Sequence, residues 1–154
     1  MICFASVPAM AADNSAGMKL CTDADLAGNF ALADLRETPK GEEAAWYQDF
    51  RSQYIMFYPG HTYNFVASRH KLSTEDDLKK ALALSIGDGM HTPERKYTLD
   101  GNGVLNLYIE DRLDYSYRCM FVTKGYSTLK TGDIVFTGYS KRRTSLYKVF
   151  RRWP

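Results

Sequence analysis

From residue 26 onward, apolar and aromatic residues recur at every second position in short runs, and turn-forming residues separate most of the runs. A period of two marks strands, because successive side chains of an extended chain point to opposite faces. The runs at 26–33, 54–58, 62–67, 96–99, 104–110, 113–122, 133–139 and 144–151 predict eight strands. Pro59-Gly60 and Asp100-Gly101-Asn102-Gly103 are turn sequences, the second a hairpin signal because Asp-Gly and Asn-Gly accept positive φ. Strands do not alternate with helices, which argues against a parallel sheet. Eight sequential antiparallel strands close into an up-and-down barrel or form a sandwich. Residues 54–58 are apolar on both faces, so either face could be interior.

One segment breaks the rhythm. Leu78, Ala81, Leu82 and Ile86 stand near helical spacing, Ser73 is an N-cap candidate, and Glu75, Asp76 and Asp77 suit the positive helix end. They predict a helix at about 73–86, inserted between strands. Trp46 and Phe50 are four residues apart, which allows a helical turn there.

At 154 residues, the chain is long enough to bury roughly two thirds of its unfolded surface in one core. Eleven tyrosines carry much of its 14% aromatic content. The formal net charge of +2 is too small to argue for nucleic acid. It averages two unlike parts. Lys141, Arg142, Arg143, Lys148, Arg151 and Arg152 form a tail without acidic residues, while the rest of the chain is net acidic. Such a tail is a solvated strand edge, or it meets an anionic envelope surface or protein partner. Lys141, Arg142, Arg143, Arg151 and Arg152 are the candidate patch.

Residues 1–12 are uncharged, and Ala9-Met10-Ala11 fits the small-residue pattern of signal cleavage. They read as the remnant of a signal peptide. A periplasmic or secreted protein follows, with an N-terminal arm at 13–25 and a barrel domain at 26–154. No window is apolar enough for a transmembrane segment. Removing Cys3 leaves Cys21 and Cys119, an even pair in an oxidising compartment and therefore a candidate disulfide.

Leu26-Ala27-Gly28-Asn29-Phe30 resembles the L-x-G-x-W opening of lipocalins and bacterial lipocalin-like domains. The segment YIMFYPGHTYNF is similar to their second and third strands, and YTLDGNGVLNLYI to their central hairpin. The basic ending of residues 146–152 is similar to their last strand. The resemblance implies an all-β, eight-stranded antiparallel up-and-down barrel that is lipocalin-like, here with one inserted helix. It also implies that Phe30, in place of Trp, packs against Arg151 or Arg152 to close the barrel base, with Arg151 the first candidate. An inserted helix departs from the family, whose helix follows the barrel strands.

Chemical motifs are sparse. No G-x-S-x-G elbow, phosphate-binding glycine loop or metal-ligand spacing occurs, so no enzyme, cofactor or metal is expected. His61, His70 and His91 share no ligand spacing. Asp100 and Asn102 lack the later ligands of a calcium loop. The expected function is binding of an apolar or amphipathic small molecule inside the barrel. Phe30, Tyr54, Tyr63, Phe65, Leu107, Tyr115, Tyr117 and Phe121 are the candidate lining. The alternative is a periplasmic interaction module or inhibitor that uses the basic strand and the N-terminal arm. A small barrel is either hollow or filled, and the tyrosines suit both.

Overall fold

A computed structural model describes residues 17–37, 52–86, 93–139 and 145–153. The elements in chain order are β1 (Met18–Leu20), α1 (Asp23–Leu26), β2 (Gly28–Glu37), β3 (Ser52–Tyr58), β4 (Thr62–Ser68), α2 (Glu75–Ile86), β5 (Arg95–Leu99), β6 (Val104–Ile109), β7 (Arg112–Val122), β8 (Ile134–Tyr139) and β9 (Ser145–Arg152). Strands β2 to β9 each pair antiparallel with their sequence neighbours, and β9 pairs back onto β2 to close the ring. The result is an eight-stranded up-and-down barrel, one of the two forms that the alternation allows. The closure is thinnest between β4 and β5, where Thr62 opposite Lys96 is the single register pair among the described residues.

The ninth strand, β1, was not legible as a strand in the sequence. Strand β6 pairs with β7 only as far as Arg118. Strand β1 takes the remainder, with Met18 opposite Val122 and Leu20 opposite Met120. It thus satisfies backbone groups that β6 leaves unpaired. Asp25 fixes the next turn. Its Oδ2 accepts from the Thr22 amide and hydroxyl, both at 2.9 Å, and pairs with Lys19 Nζ at 2.9 Å. Cys21 and Cys119 form a disulfide with Cα atoms 5.4 Å apart, spanning 98 residues of sequence. Residues from Gly17 to Asp25 are therefore pinned to the barrel wall, not a protruding arm. The proposed signal remnant at 1–12, the start of the arm at 13–16 and the helical turn proposed around Trp46 and Phe50 lie outside the described residues.

Alternation places Ile55 and Phe57 inside the barrel and Tyr54 and Met56 outside. Both sets are buried because α2 covers the outer face, where Leu78, Ala81 and Leu82 meet Tyr54, Met56 and Val66. This explains the doubly apolar run at 54–58. The cap of α2 is Thr74 rather than Ser73. Thr74 Oγ1 accepts from the Asp77 amide, and Asp77 Oδ2 accepts from the Thr74 amide, each at 3.1 Å. The Tyr54 hydroxyl accepts from the Leu72 amide at 2.8 Å, tying the approach to α2 onto β3.

Strand β7 departs from simple alternation. The β6–β7 register shifts where Leu107 faces Tyr115 and Tyr108 faces Leu113, so Asp114 is the extra residue of a bulge. Leu113 therefore leaves the face of Tyr115, Tyr117, Cys119 and Phe121 and is exposed.

Candidate functional site

One end of the barrel is sealed. Phe30 is fully buried there, beneath α1 and in the same core as Leu26, Cys21, Leu105 and Ile134. Residues 146, 148, 150 and 152 of β9 share the inward phase, so Arg152 and not Arg151 meets Phe30. The Arg152 guanidinium carbon lies 5.0 Å from the Phe30 ring centroid. Its Nη1 donates to the Ala27 carbonyl at 2.8 Å, and its Nη2 donates to the Asp25 backbone carbonyl at 3.3 Å. Gly28 makes room for this arrangement. Its φ is +124°, and a Cβ there would stand 2.9 Å from Arg152 Nη1.

Arg151 points the other way. Its Nε and Nη2 donate to the buried Asp133 carboxylate at 2.9 and 2.8 Å, and Nη2 also reaches the Thr128 carbonyl. This two-pronged bond is the strong form of an Arg–carboxylate pair. It fixes the β7–β8 connection and raises the Arg151 pKa. The proposed closing pair of Phe30 and Arg151 is thus corrected to Phe30 and Arg152. Two cations of the proposed anionic-partner patch are occupied within the molecule, on opposite faces of β9. Lys141, Arg142 and Arg143 lie outside the described residues.

Above the seal, the interior is largely filled. Phe57 stands at its centre, edge-on to Phe30 at 6.3 Å, to Tyr97 at 5.1 Å and to Phe136 at 6.5 Å. Along one wall the rings of Tyr115, Tyr117 and Phe136 stack in sequence, at 5.6 and 5.3 Å between centroids. Phe150 follows Phe136 at 5.3 Å.

This wall borders a cavity of about 90 Å³, which reaches toward the end opposite the seal. Tyr63, Phe65, Leu107, Tyr115 and Tyr117 line it, as proposed from the sequence. Three proposed lining residues do not. Phe30 belongs to the seal. Tyr54 faces outward beneath α2, with its ring edge-on to Trp153 at 5.4 Å. Phe121 lies beside β1, its ring 5.2 Å from Lys19 Nζ.

The structure adds Arg95, Asp114 and Lys148, charged residues that the sequence reading did not place in the interior. Arg95 begins β5, and Asp114 occupies the β7 bulge. Lys148 is deeper, between the inward Leu146 and Phe150, and only 6% exposed. Its Nζ donates to Oε1 of the fully buried Gln53 at 3.1 Å and lies 6.0 Å from the Phe65 ring centroid. The missed signal was phase: residue 148 alternates with two apolar neighbours.

Burial pushes the Tyr63 pKa up to about 12, with Asp114 adding to the rise and Arg95 opposing it. Tyr63 is therefore a neutral donor at ordinary pH, and its hydroxyl reaches the Tyr108 carbonyl at 3.5 Å. His61 lies at the sealed end, with Nε2 3.2 Å from Asp23 Oδ2. His70 is exposed, and His91 lies outside the described residues. Among the described residues, no three His, Cys, Asp or Glu side chains are grouped to hold a metal, and no helix is long and apolar enough to cross a membrane.

Comparison with protein-family models, curated proteins and solved structures finds no match to this chain.

Proposed function

We propose that this chain is an exported, lipocalin-like binding barrel that takes a small amphipathic molecule into its interior. The observation that carries the reading is the one-sided interior. The Phe30–Arg152 end is closed, and the cavity of about 90 Å³ lies toward the other end, walled by Ile55, Phe65, Leu107, Tyr115 and Tyr117. An apolar hollow with a few convergent polar groups is the usual form of a ligand site. At about 90 Å³ it is smaller than the dry apolar cavity of about 150 Å³ that accepts benzene, so its size favours a short chain over a ring. Export is supported by the Cys21–Cys119 disulfide, because such bonds persist in oxidising compartments. The lipocalin-like assignment is supported by Gly28, Phe30 and Arg152 meeting at the sealed end.

The test is a thermal-shift and native mass-spectrometry screen with six-carbon alcohols, acids and amines and with substituted benzenes. Binding is expected for at least one class. It should weaken in Leu107→Phe, which pushes a ring into the cavity. Absence of binding across the panel, in protein that is folded and oxidised, sinks the proposal.

A further inference from the structure

The turn between β5 and β6 must carry glycine at residue 103. Gly103 has φ +74°, and a Cβ there would stand 2.8 Å from Leu20 Cδ2 and 3.1 Å from the Cys119 carbonyl oxygen. The glycine is wedged between β1 and β7, and its own carbonyl accepts from the Cys119 amide at 2.7 Å. The residue before it is Asn102, exposed at the tip of the turn. In an Asn-Gly pair the backbone nitrogen reaches the preceding side-chain amide readily, because no Cβ shields it. Packing at the barrel base therefore keeps a chemically labile pair in the chain.

The local geometry leaves that pair open to reaction. The Gly103 amide donates to the Asp100 carbonyl at 3.2 Å, the long end of the range for such a bond. Asp100 also precedes a glycine, Gly101, but is the poorer electrophile. Its Oδ1 accepts from the Asn102 and Val104 amides, both at 2.9 Å, and a carboxylate has no good leaving group. Asn29, Asn64 and Asn106 stand in strands before Phe30, Phe65 and Leu107, whose side chains crowd the attacking nitrogen.

We infer that Asn102 is a site of spontaneous modification, where deamidation rewrites the turn that packs β1 onto the barrel. The Gly103 nitrogen bonds to Asn102 Cγ, the Cγ–Nδ2 bond breaks, and ammonia leaves with the proton of the Gly103 amide. Water then opens the cyclic imide. Opening at one carbonyl gives aspartate and leaves the main chain as it was. Opening at the other gives isoaspartate, which routes the main chain through the side chain and inserts a methylene before Gly103. The longer turn cannot hold Gly103 both against Leu20 and in its bond to Cys119, so the base loosens there.

The experiment ages the oxidised full chain in mildly alkaline buffer and maps its peptides by mass spectrometry that separates aspartate from isoaspartate. Asn102 should convert about tenfold or more faster than Asn29, Asn64 and Asn106, with isoaspartate the larger product. In the aged fraction, hydrogen exchange should rise at the amides of Leu20, Cys21 and Cys119 and stay unchanged in β3. Asn102→Ser, aged alongside, should keep its protection at those amides. Freshly prepared Asn102→Asp should match unaged wild type, because the charge alone leaves the main chain intact. Conversion no faster than at the other three asparagines overturns the site. Conversion without loss of protection overturns the loosening, as does equal loss in aged Asn102→Ser or a base already loose in Asn102→Asp.

Discussion

Arg152 lies across Phe30 with its guanidinium carbon 5.0 Å from the ring centroid, and the same guanidinium donates to the carbonyl of Ala27 at 2.8 Å. One side chain thus joins the end of β9 to the start of β2 and to the last turn of α1. Arg152→Ala should cost about 1–3 kcal/mol of unfolding free energy, from a cation–π contact and charge-assisted hydrogen bonds. Arg152→Lys should recover only part of it, because an ammonium lacks the planar fork. Urea denaturation of both variants measures this, and an unchanged midpoint for Arg152→Ala contradicts it.

The Cys21–Cys119 disulfide closes a long loop and clamps β1 to β7. Replacing both cysteines with serine should lower stability by about 2–4 kcal/mol. Hydrogen exchange should show amides at Met18–Leu20 losing protection before those of β3. Equal protection of the two strands after the replacement argues against a clamp.

Tyr54 holds α2 to the barrel through a hydroxyl that accepts from the Leu72 amide at 2.8 Å and lies 3.3 Å from the Leu72 carbonyl. Tyr54→Phe should cost about 0.5–1.5 kcal/mol for the lost bonding. Amide exchange should rise in α2 while the strands of the barrel keep their protection. A global loss of protection would mean that α2 and the barrel open as one unit.

Asp25 gives a pH dependence of known sign. Burial raises its pKa, but the Lys19 ammonium and the Thr22 amide and hydroxyl outweigh burial and hold it below the ordinary value of 3.8. A carboxyl with a depressed folded pKa contributes stability above its unfolded pKa and loses it as pH falls through the folded value. Wild type should therefore exceed Asp25→Asn in stability by a constant margin at neutral pH. The margin should shrink below about pH 4. Denaturant midpoints measured down the pH scale test this, and a margin that is flat to pH 2 contradicts it.

The barrel was readable because its strands alternate and its turns carry Gly, Asn and Asp. Strand β1 was hidden for a physical reason: Met18, Lys19 and Leu20 form too short a run to show a period, and their partner residues lie about a hundred positions away. Leu113 stands outside the alternation of Tyr115, Tyr117, Cys119 and Phe121 because the Asp114 bulge resets the phase of β7, and no local pattern announces a bulge. Tyr63, Phe65, Leu107, Tyr115 and Tyr117 were legible as lining from alternation alone. Tyr54 was not, because an apolar outer face covered by α2 has the same composition as an inner one. Lys148 was counted with a basic tail when its phase put it inside. Charge drew attention to its neighbours in sequence, while burial is set by the parity of its position.

The pairing of β2 with β9 sets a timetable for folding. Phe30 meets Arg152, so the first barrel strand waits for the last before the ring can shut. Until β9 arrives, β2 presents an open edge, and the base above α1 stays unsealed. Contacts this distant in sequence form slowly. The early part of the chain therefore holds no finished barrel until its last strand has been made.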